Sequence, residues 1–415
     1  MHSVTGYLLC AIILGLIAED FPPPGLQGLS VSEAIAVTLM LIVAIKAVRS
    51  RFRLSVTSPI TRPCLLFILL TLLLLVAELI HLVLAANDLN AGITPLEHVA
   101  RRILGLLLIT SALFLPLSQS QARALGVCVG ILASAQALSI LLGVTTGLNF
   151  HPERFAAARI GIFDVGSASL GIISTKGMVA IIFCLATIFG LKFGERSASR
   201  FIVSLGFLGF LALGAIFSGS RSVFFSMVMT AVTWAGMRNF RINVATVAGV
   251  GLALLMLSIF LFAPTIAFFN EIILRGGSEG RLIMGLQAID LYLDNILFGI
   301  GPHQRIFEMY AGGEVLENGS HNLILQALLY GGVVGALWLF SLLFLLFRAV
   351  QLCPDKNIAL AVAFLLPSMF FQPLQSAFVS WSTMLALVLY FVRYWHFTTF
   401  QRNAQLDNLR TERDA

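Results

Sequence analysis

The chain has 415 residues, of which 58% are hydrophobic and 11% are charged, with 26 Lys and Arg against 20 Asp and Glu. An ordinary soluble domain is about 45–50% apolar and about 25% charged. This composition therefore excludes both a soluble globular enzyme and a disordered chain. The net charge of +6 comes from short clusters rather than one basic face, so nucleic acid is not an expected partner. We predict an all-α polytopic membrane protein whose immediate partners are membrane lipids.

Apolar runs close to the length that crosses a bilayer, about 20 residues, follow one another along the chain. Their approximate bounds are 4–18, 30–47, 65–86, 99–117, 124–147, 166–190, 201–218, 220–237, 242–262, 321–347, 358–377 and 379–397. We therefore predict about twelve transmembrane helices. Residues 1–150 form N-terminal helices, 151–347 a catalytic region, and 348–415 the last helices with a cytoplasmic tail. The catalytic region includes a large periplasmic loop, 263–320, in which we expect short surface helices.

The basic residues predict the orientation. The first two loops on one side hold Glu19, Asp20, Asp88 and Glu97, whereas the loops on the other side hold most of the Lys and Arg. The positive-inside rule therefore places both termini in the cytoplasm and the loop 263–320 outside. Nine of the 26 basic residues do not follow this rule, and all lie on the external side or in a span entered from it: Arg101, Arg102, Arg154, Arg159, Lys176, Arg221, Arg275, Arg281 and Arg305.

Four of these external arginines favour a phosphate site. Arg221 lies at a predicted helix mouth, Arg159 precedes the sixth span, and Arg275 and Arg281 flank a glycine-rich segment. A guanidinium can bind two phosphate oxygens at once, so converging arginines at a membrane surface suggest a lipid-linked phosphate or diphosphate. The alternative is that each arginine reaches the lipid headgroups. The pair Arg101-Arg102, which opens the fourth span, could likewise contact a phosphate or anchor in headgroups.

His321 is the candidate general base. Ser320 is a suitable N-cap, which places His321 in the first turn of a helix, where the helix dipole keeps the imidazole neutral. A neutral imidazole facing water can accept a proton from an attacking group. The alternative is an interfacial histidine with its polar tip among headgroups. Further along the same span, Gly331, Gly332 and Gly335 predict close helix packing that would hold the helix presenting His321.

Other polar residues support less specific interpretations. Glu78 and His81 are one turn apart in the third span, and we favour a satisfied intrahelical pair over a relay. Lys176 lies within a span and needs a partner that the sequence does not identify. The chain has no phosphate-binding loop of the ATPase type and no dense cluster of acidic residues, so we expect neither a cofactor nor a metal.

Four motifs in order, over residues 150–347, resemble the O-antigen ligase and O-antigen polymerase superfamily of bacterial inner-membrane transferases. The four motifs are Arg159 with Gly161 and Phe163, then Ser220-Arg221-Ser222, then Gly280-Arg281 through Asn295-Ile296-Leu297-Phe298-Gly299-Ile300-Gly301, and finally His321-Asn322 followed after nine residues by Gly332 and then Gly335. The last spacing is similar to the ligase signature, so the ligase is favoured within the superfamily.

The resemblance implies a metal-independent, inverting glycosyltransferase that uses a glycan on undecaprenyl diphosphate at the periplasmic face. It implies that Arg159 and Arg221 hold the diphosphate and that His321 deprotonates or orients the acceptor hydroxyl. Further substrate contacts are expected from five residues: Arg275, Arg281, Asn322, Arg101 and Arg102. The acceptor is lipid A-core for a ligase, and another lipid-linked glycan for an O-antigen or exopolysaccharide polymerase. A twelve-span transporter or flippase is a further alternative, although the chain shows no internal repeat.

Overall fold

A computed structural model describes the chain over fourteen stretches. These are residues 10–12, 14, 35–38, 41–42, 45, 59–84, 95–114, 118–146, 198–217, 288–302, 307–311, 314–318, 323–352 and 381–394. The described elements are α1 (Thr61–Leu84), α2 (Pro95–Phe114), α3 (Gln119–Thr146), α4 (Ala198–Phe217), β1 (Phe307–Ala311), β2 (Glu314–Asn318), α5 (Leu323–Gly331), α6 (Val333–Leu352) and α7 (Trp381–Tyr394). A short helical stretch also covers residues 288–294.

The helices begin where local chemistry allows it. Pro95 opens α2, a position where its fixed φ suits a helix and its missing N–H is not needed. Before α3, the Ser118 hydroxyl accepts a hydrogen bond from the Gln121 N–H at 3.3 Å, and the Gln121 side chain accepts one from the Ser118 N–H at 2.9 Å. These reciprocal bonds satisfy two backbone donors that would otherwise lack partners at the helix start.

Two described helices are long and apolar enough to cross a membrane, judged by length and composition. They are Thr61–Leu84 and Gln119–Gly143, and shorter apolar stretches cover Val333–Ala349 and Trp381–Tyr394. The helical architecture predicted from the sequence is thus present in the described part of the chain. The predicted spans at 65–86, 99–117, 124–147 and 201–218 coincide with α1 to α4 to within a few residues.

The structure differs from the prediction over residues 321–347. One span was expected there, but the chain forms two helices, α5 and α6, separated at Gly332. Gly332 has a φ of 55°, in the left-handed region that ends a helix. A second difference lies in the predicted surface loop, where short helices were expected. Its described residues contain one short helix, at 288–294, and in addition a two-stranded hairpin. In it β1 pairs antiparallel with β2, with Phe307 opposite Asn318 and Ala311 opposite Glu314.

Helix α7 lies at the centre of the described bundle, because almost all of its side chains are buried. The rings of Trp381, Trp338 and Phe67 join α7, α6 and α1, with centroids 5.6 to 6.5 Å apart. At the other end of α7, the Tyr390 hydroxyl donates a hydrogen bond to Ser111 of α2 at 2.9 Å. These contacts fix α1, α2 and α6 around one core and so position the ends of α1 and α2 that carry polar residues.

Candidate functional site

A buried ion pair joins α1 to α2 near the ends of these helices that are predicted to be external. The Arg102 guanidinium donates hydrogen bonds to both carboxylate oxygens of Glu78, at 2.7 Å from Nη2 and 3.2 Å from Nε. Glu78 is 0% exposed and Arg102 is 2% exposed. A buried charge is costly unless an opposite charge and hydrogen bonds satisfy it, and the two-pronged geometry provides both. The bridge therefore fixes the position of α2 relative to α1.

Helix α5 packs beside this ion pair. Tyr330, in the last turn of α5, is buried and lies close enough to Glu78 and Arg102 to interact with both electrostatically. One residue later, a Cβ added at Gly331 would clash with the side chain of Leu74, one turn before Glu78 on α1. The absence of a side chain at Gly331 thus lets the end of α5 approach α1 closely. The predicted close packing at this glycine is present.

The segment 297–300 satisfies backbone groups at the junction between α5 and α6. The Ile300 N–H donates to the Leu329 carbonyl near the end of α5 at 2.6 Å, and the Leu297 carbonyl accepts from the Val333 N–H at the start of α6 at 3.4 Å. Helix ends leave such carbonyls and amides without intrahelical partners. Within the junction, the Gly332 N–H donates to the Leu328 carbonyl at 2.8 Å, which is the bond of a left-handed glycine cap.

Two glycines allow this junction to form. Gly299 has a φ of 69°, and a Cβ there would lie 2.7 Å from the Gly332 nitrogen. A Cβ on Gly332 would in turn lie 2.6 Å from the Gly299 nitrogen and 2.5 Å from the Ile296 oxygen. The two backbones therefore meet face to face, with space for no side chain on either side. Both positions also require a positive φ, which only glycine adopts without cost.

His81 connects the same segment to α1. Its Nε2 donates a hydrogen bond to the Phe298 carbonyl at 2.9 Å. In the sequence His81 and Glu78 suggested a pair within one helix, but in the structure each also contacts a different element, since Glu78 binds Arg102 and His81 binds Phe298. The end of α1 thus holds α2, the segment 297–300 and α5 together. This assembly, which we call the α1 anchor, consists of Glu78, Arg102, His81, Gly299 and Gly332.

The predicted site residues divide into two groups. Arg102 lies in the α1 anchor, and its neighbour Arg101 is partly buried on α2. The other predicted site residues lie outside the described residues: Arg159, Arg221, Arg275, Arg281, His321 and Asn322. Lys176 also lies outside them. However, α5 begins at Leu323, two residues after His321 in the sequence, so the α1 anchor fixes the helix that follows this histidine.

Sequence reasoning missed three features of this region. No role was assigned to Gly299 or Tyr330, and Glu78 was expected to pair with His81 on its own helix rather than with Arg102. The glycines on either side of Ile300 were a usable signal, because glycine adopts a positive φ more readily than other residues, and both Gly299 and Gly301 have one. Nothing local indicated Arg102 as the partner of Glu78, since the two residues are 24 positions apart. In the described stretches, no three His, Cys, Asp or Glu side chains come together in a group that could hold a metal ion.

Comparison with known protein families gives a match over part of the chain. Residues 206–340 match the family described as O-antigen ligase, a span that runs from α4 to the first turns of α6 and so includes segment 297–300, Gly332 and all of α5. No curated protein matches the chain. The match supports the superfamily that the sequence motifs indicated. Members of this family are membrane-embedded, glycosyltransferase-like enzymes that use lipid-linked glycans.

Proposed function

We propose that the chain, whose residues 206–340 match the O-antigen ligase family, transfers a glycan from undecaprenyl diphosphate to lipid A-core. The reaction takes place at the periplasmic face of the bacterial inner membrane, with both termini of the protein in the cytoplasm. The family match is the observation that carries this proposal. The charge pattern of the sequence supports it, because the basic residues that topology does not explain collect on one predicted face.

In the proposed reaction, the acceptor hydroxyl oxygen attacks the anomeric carbon of the donor glycan while the bond from that carbon to the diphosphate oxygen breaks. The proton of the hydroxyl passes to His321, and undecaprenyl diphosphate leaves with the bonding electrons. Attack from the side opposite the leaving group inverts the anomeric configuration. A neutral histidine next to a helix start suits the role of base, because the helix dipole disfavours its protonated form.

Charge that develops on the leaving diphosphate needs stabilisation, which fixed cationic donors provide most effectively. We assign this role to Arg159 and Arg221, with Arg275, Arg281, Asn322 and Arg101 as further substrate contacts. The guanidinium of Arg102 is bridged to Glu78, so we propose that it contributes by holding α2 and its neighbour Arg101 in place. No metal or nucleotide takes part in this scheme.

The α1 anchor supports the proposal through positioning. A base must lie within hydrogen-bonding reach of the proton it removes, and a displacement of about 1 Å can cost about a hundredfold in rate. Helix α5 has only nine residues, and a helix this short is not stable alone. Its contacts, through Gly331 with Leu74 and through Leu329 with the segment 297–300, therefore hold this helix in place. We propose that they thereby also position the residue pair His321-Asn322 that precedes it in the sequence.

The glycolipids of a deletion strain test this proposal. If the protein is a ligase, its loss should leave lipid A-core without long glycan and should accumulate long chains on undecaprenyl diphosphate. A complementing wild-type copy should restore both. Accumulation of single repeat units on undecaprenyl diphosphate would instead identify a polymerase. A normal profile of both lipids in the deletion strain would contradict either activity.

A further inference from the structure

Among the described residues, an exposed apolar surface lies on the segment that caps the α5–α6 junction. Leu297 is 68% exposed and Phe298 is 77% exposed, and the large side chains of Leu293 and Ile296 beside them are also exposed. Exposed apolar area is unfavourable in water, so four adjacent large side chains of this kind need an apolar partner. We call Leu293, Ile296, Leu297 and Phe298 the apolar turn.

The apolar turn cannot bury itself by rotating toward the core. Its backbone is fixed on both sides, since the Leu297 carbonyl accepts from Val333 and the Phe298 carbonyl accepts from His81. The next residue, Gly299, is in backbone contact with the α5–α6 junction. With carbonyls of Leu297 and Phe298 directed into the protein, the side chains of these two residues remain on its outer surface. The exposure is therefore a property of the fold in this region.

The short helix 288–294 leads into the apolar turn, and its exposed surface has one apolar flank and one charged flank. Ala288 is buried, and Leu291 and Tyr292 pack against the core. On the outside, one flank carries the exposed residues Ile289 and Leu293, which are four positions apart and so lie on the same side of the helix. The other flank carries Asp290 and Asp294, also exposed and four apart. A helix with one apolar and one charged flank is suited to lie in the plane of a membrane interface.

The apolar turn continues the exposed apolar surfaces of two helices. Exposed apolar side chains follow the length of α1 at Leu65, Leu69, Leu72, Val76, Ile80 and Val83, and of α6 at Val333, Leu337, Phe340 and Phe344. Their spacing of three or four residues defines one stripe on each helix. The turn bonds to His81 in the last turn of α1 and to Val333 in the first turn of α6, so it joins the two helices at one end of their stripes.

We propose that the apolar turn is immersed in the hydrocarbon of the adjacent membrane leaflet and that its partner is the acyl chains of bilayer lipids. The carboxylates of Asp290 and Asp294 mark the water side of this element. Because they are negative, anionic headgroups do not attract the helix, and the attraction comes from the hydrocarbon alone. The turn then inserts a short distance into the leaflet and holds the α5–α6 junction at the membrane. This inference is independent of the transfer reaction.

Thiol accessibility tests the immersion directly. Variants Phe298→Cys and Asp294→Cys are compared in opened native membranes that expose both faces to a water-soluble maleimide, with wild type giving the background of the native cysteines. A maleimide reacts with the thiolate, which does not form in hydrocarbon, so Phe298→Cys should label more than about tenfold more slowly than Asp294→Cys. Equal labelling rates would overturn the proposal. Because both faces are accessible, the result does not depend on the predicted topology.

Depth-dependent quenching identifies the partner. Phe298→Trp and Phe340→Trp are reconstituted in vesicles whose phosphatidylcholine carries bromine either near the headgroup or deep in the acyl chain. Phe340 lies seven residues beyond Val333 on α6, about 10 Å further along the helix. After subtraction of wild-type emission, Phe298→Trp should be quenched more by shallow bromine and Phe340→Trp more by deep bromine. No quenching of Phe298→Trp by either lipid would overturn the proposal. Loss of the quenching on addition of undecaprenyl diphosphate would also overturn it, because the isoprenoid chain would then be the occupant.

Discussion

The guanidinium of Arg102 donates hydrogen bonds to both carboxylate oxygens of Glu78, and the two side chains are buried together between α1 and α2. Ion pairs of this kind are rarely net stabilisers, because desolvation of both charges offsets their attraction. Removal of only one of the two charged side chains is costly, however, since the other charge then remains buried without its counter-ion. The pair thus specifies the relative position of the two helices. A double-mutant cycle can separate the interaction energy of the pair from the effects of the two single substitutions.

We expect Arg102→Met to lower the free energy of unfolding by about 3–5 kcal/mol, because Glu78 would remain buried without the guanidinium that binds both of its carboxylate oxygens. The double variant Glu78→Met with Arg102→Met should regain most of that loss, since methionine is apolar and of suitable size. Unfolding in mixed micelles with rising SDS fraction measures both values. A double variant as unstable as Arg102→Met alone would show that the pair is not the cause.

The contact between Gly299 and Gly332 predicts a strong and specific effect of one methyl group. Gly332→Ala should lower the free energy of unfolding by at least about 2 kcal/mol, because alanine at a positive φ is strained and its Cβ would contact the Ile296 oxygen and the Gly299 nitrogen. The measurement is thermal unfolding of the purified protein in detergent.

Gly209→Ala is the matched control for that variant. Gly209 lies within α4, where an added Cβ meets nothing within 4 Å, so the same change should be neutral or stabilise by up to about 1 kcal/mol. If Gly332→Ala were as stable as Gly209→Ala, segment 297–300 would not hold the junction as described.

The hydrogen bond from the Trp338 indole N–H to the Thr71 hydroxyl, at 2.8 Å, links α6 to α1 in the core. Thr71→Val keeps the shape of the side chain but leaves the buried N–H without its acceptor, so we expect a loss of about 1–3 kcal/mol. Thr71→Ser retains the hydroxyl and should lose less. The same SDS titration compares the two, and equal stability of valine and serine variants would argue against the bond.

Much of the helical framework can be predicted from the sequence, because an apolar run of membrane length is a strong local signal, as in α1 and α3. The break at Gly332 could not be placed, since the apolar run continues through it and the cause is a backbone contact with a segment more than thirty residues earlier. The Glu78–Arg102 pair was missed for the same reason: ion pairing between helices is set by packing. The hairpin of β1 and β2 was not predicted, because each strand has only five residues and in β2 the apolar residues Val315 and Leu316 are adjacent instead of alternating with polar ones.

The proposed phosphate site predicts that Arg221→Lys lowers transfer by about tenfold or more at unchanged protein level, because lysine carries the charge but cannot bind two phosphate oxygens at once. The control is Arg348→Lys. Arg348 is half-buried near the end of α6, where it donates to Gln351 at 2.8 Å, and its replacement should leave transfer unchanged. Full activity of Arg221→Lys would exclude two-pronged phosphate binding at that position.

The most direct test of the central claim is transfer by the purified protein in lipid vesicles that contain only a glycan on undecaprenyl diphosphate and lipid A-core, with a chelator and without nucleotide. We expect the glycan to appear on lipid A-core with an inverted anomeric linkage, and His321→Ala to lose about 10²–10⁴-fold in rate while its unfolding transition is unchanged. Full transfer by His321→Ala would contradict the assignment of the base. No transfer to lipid A-core by correctly folded wild-type protein would contradict the ligase account itself.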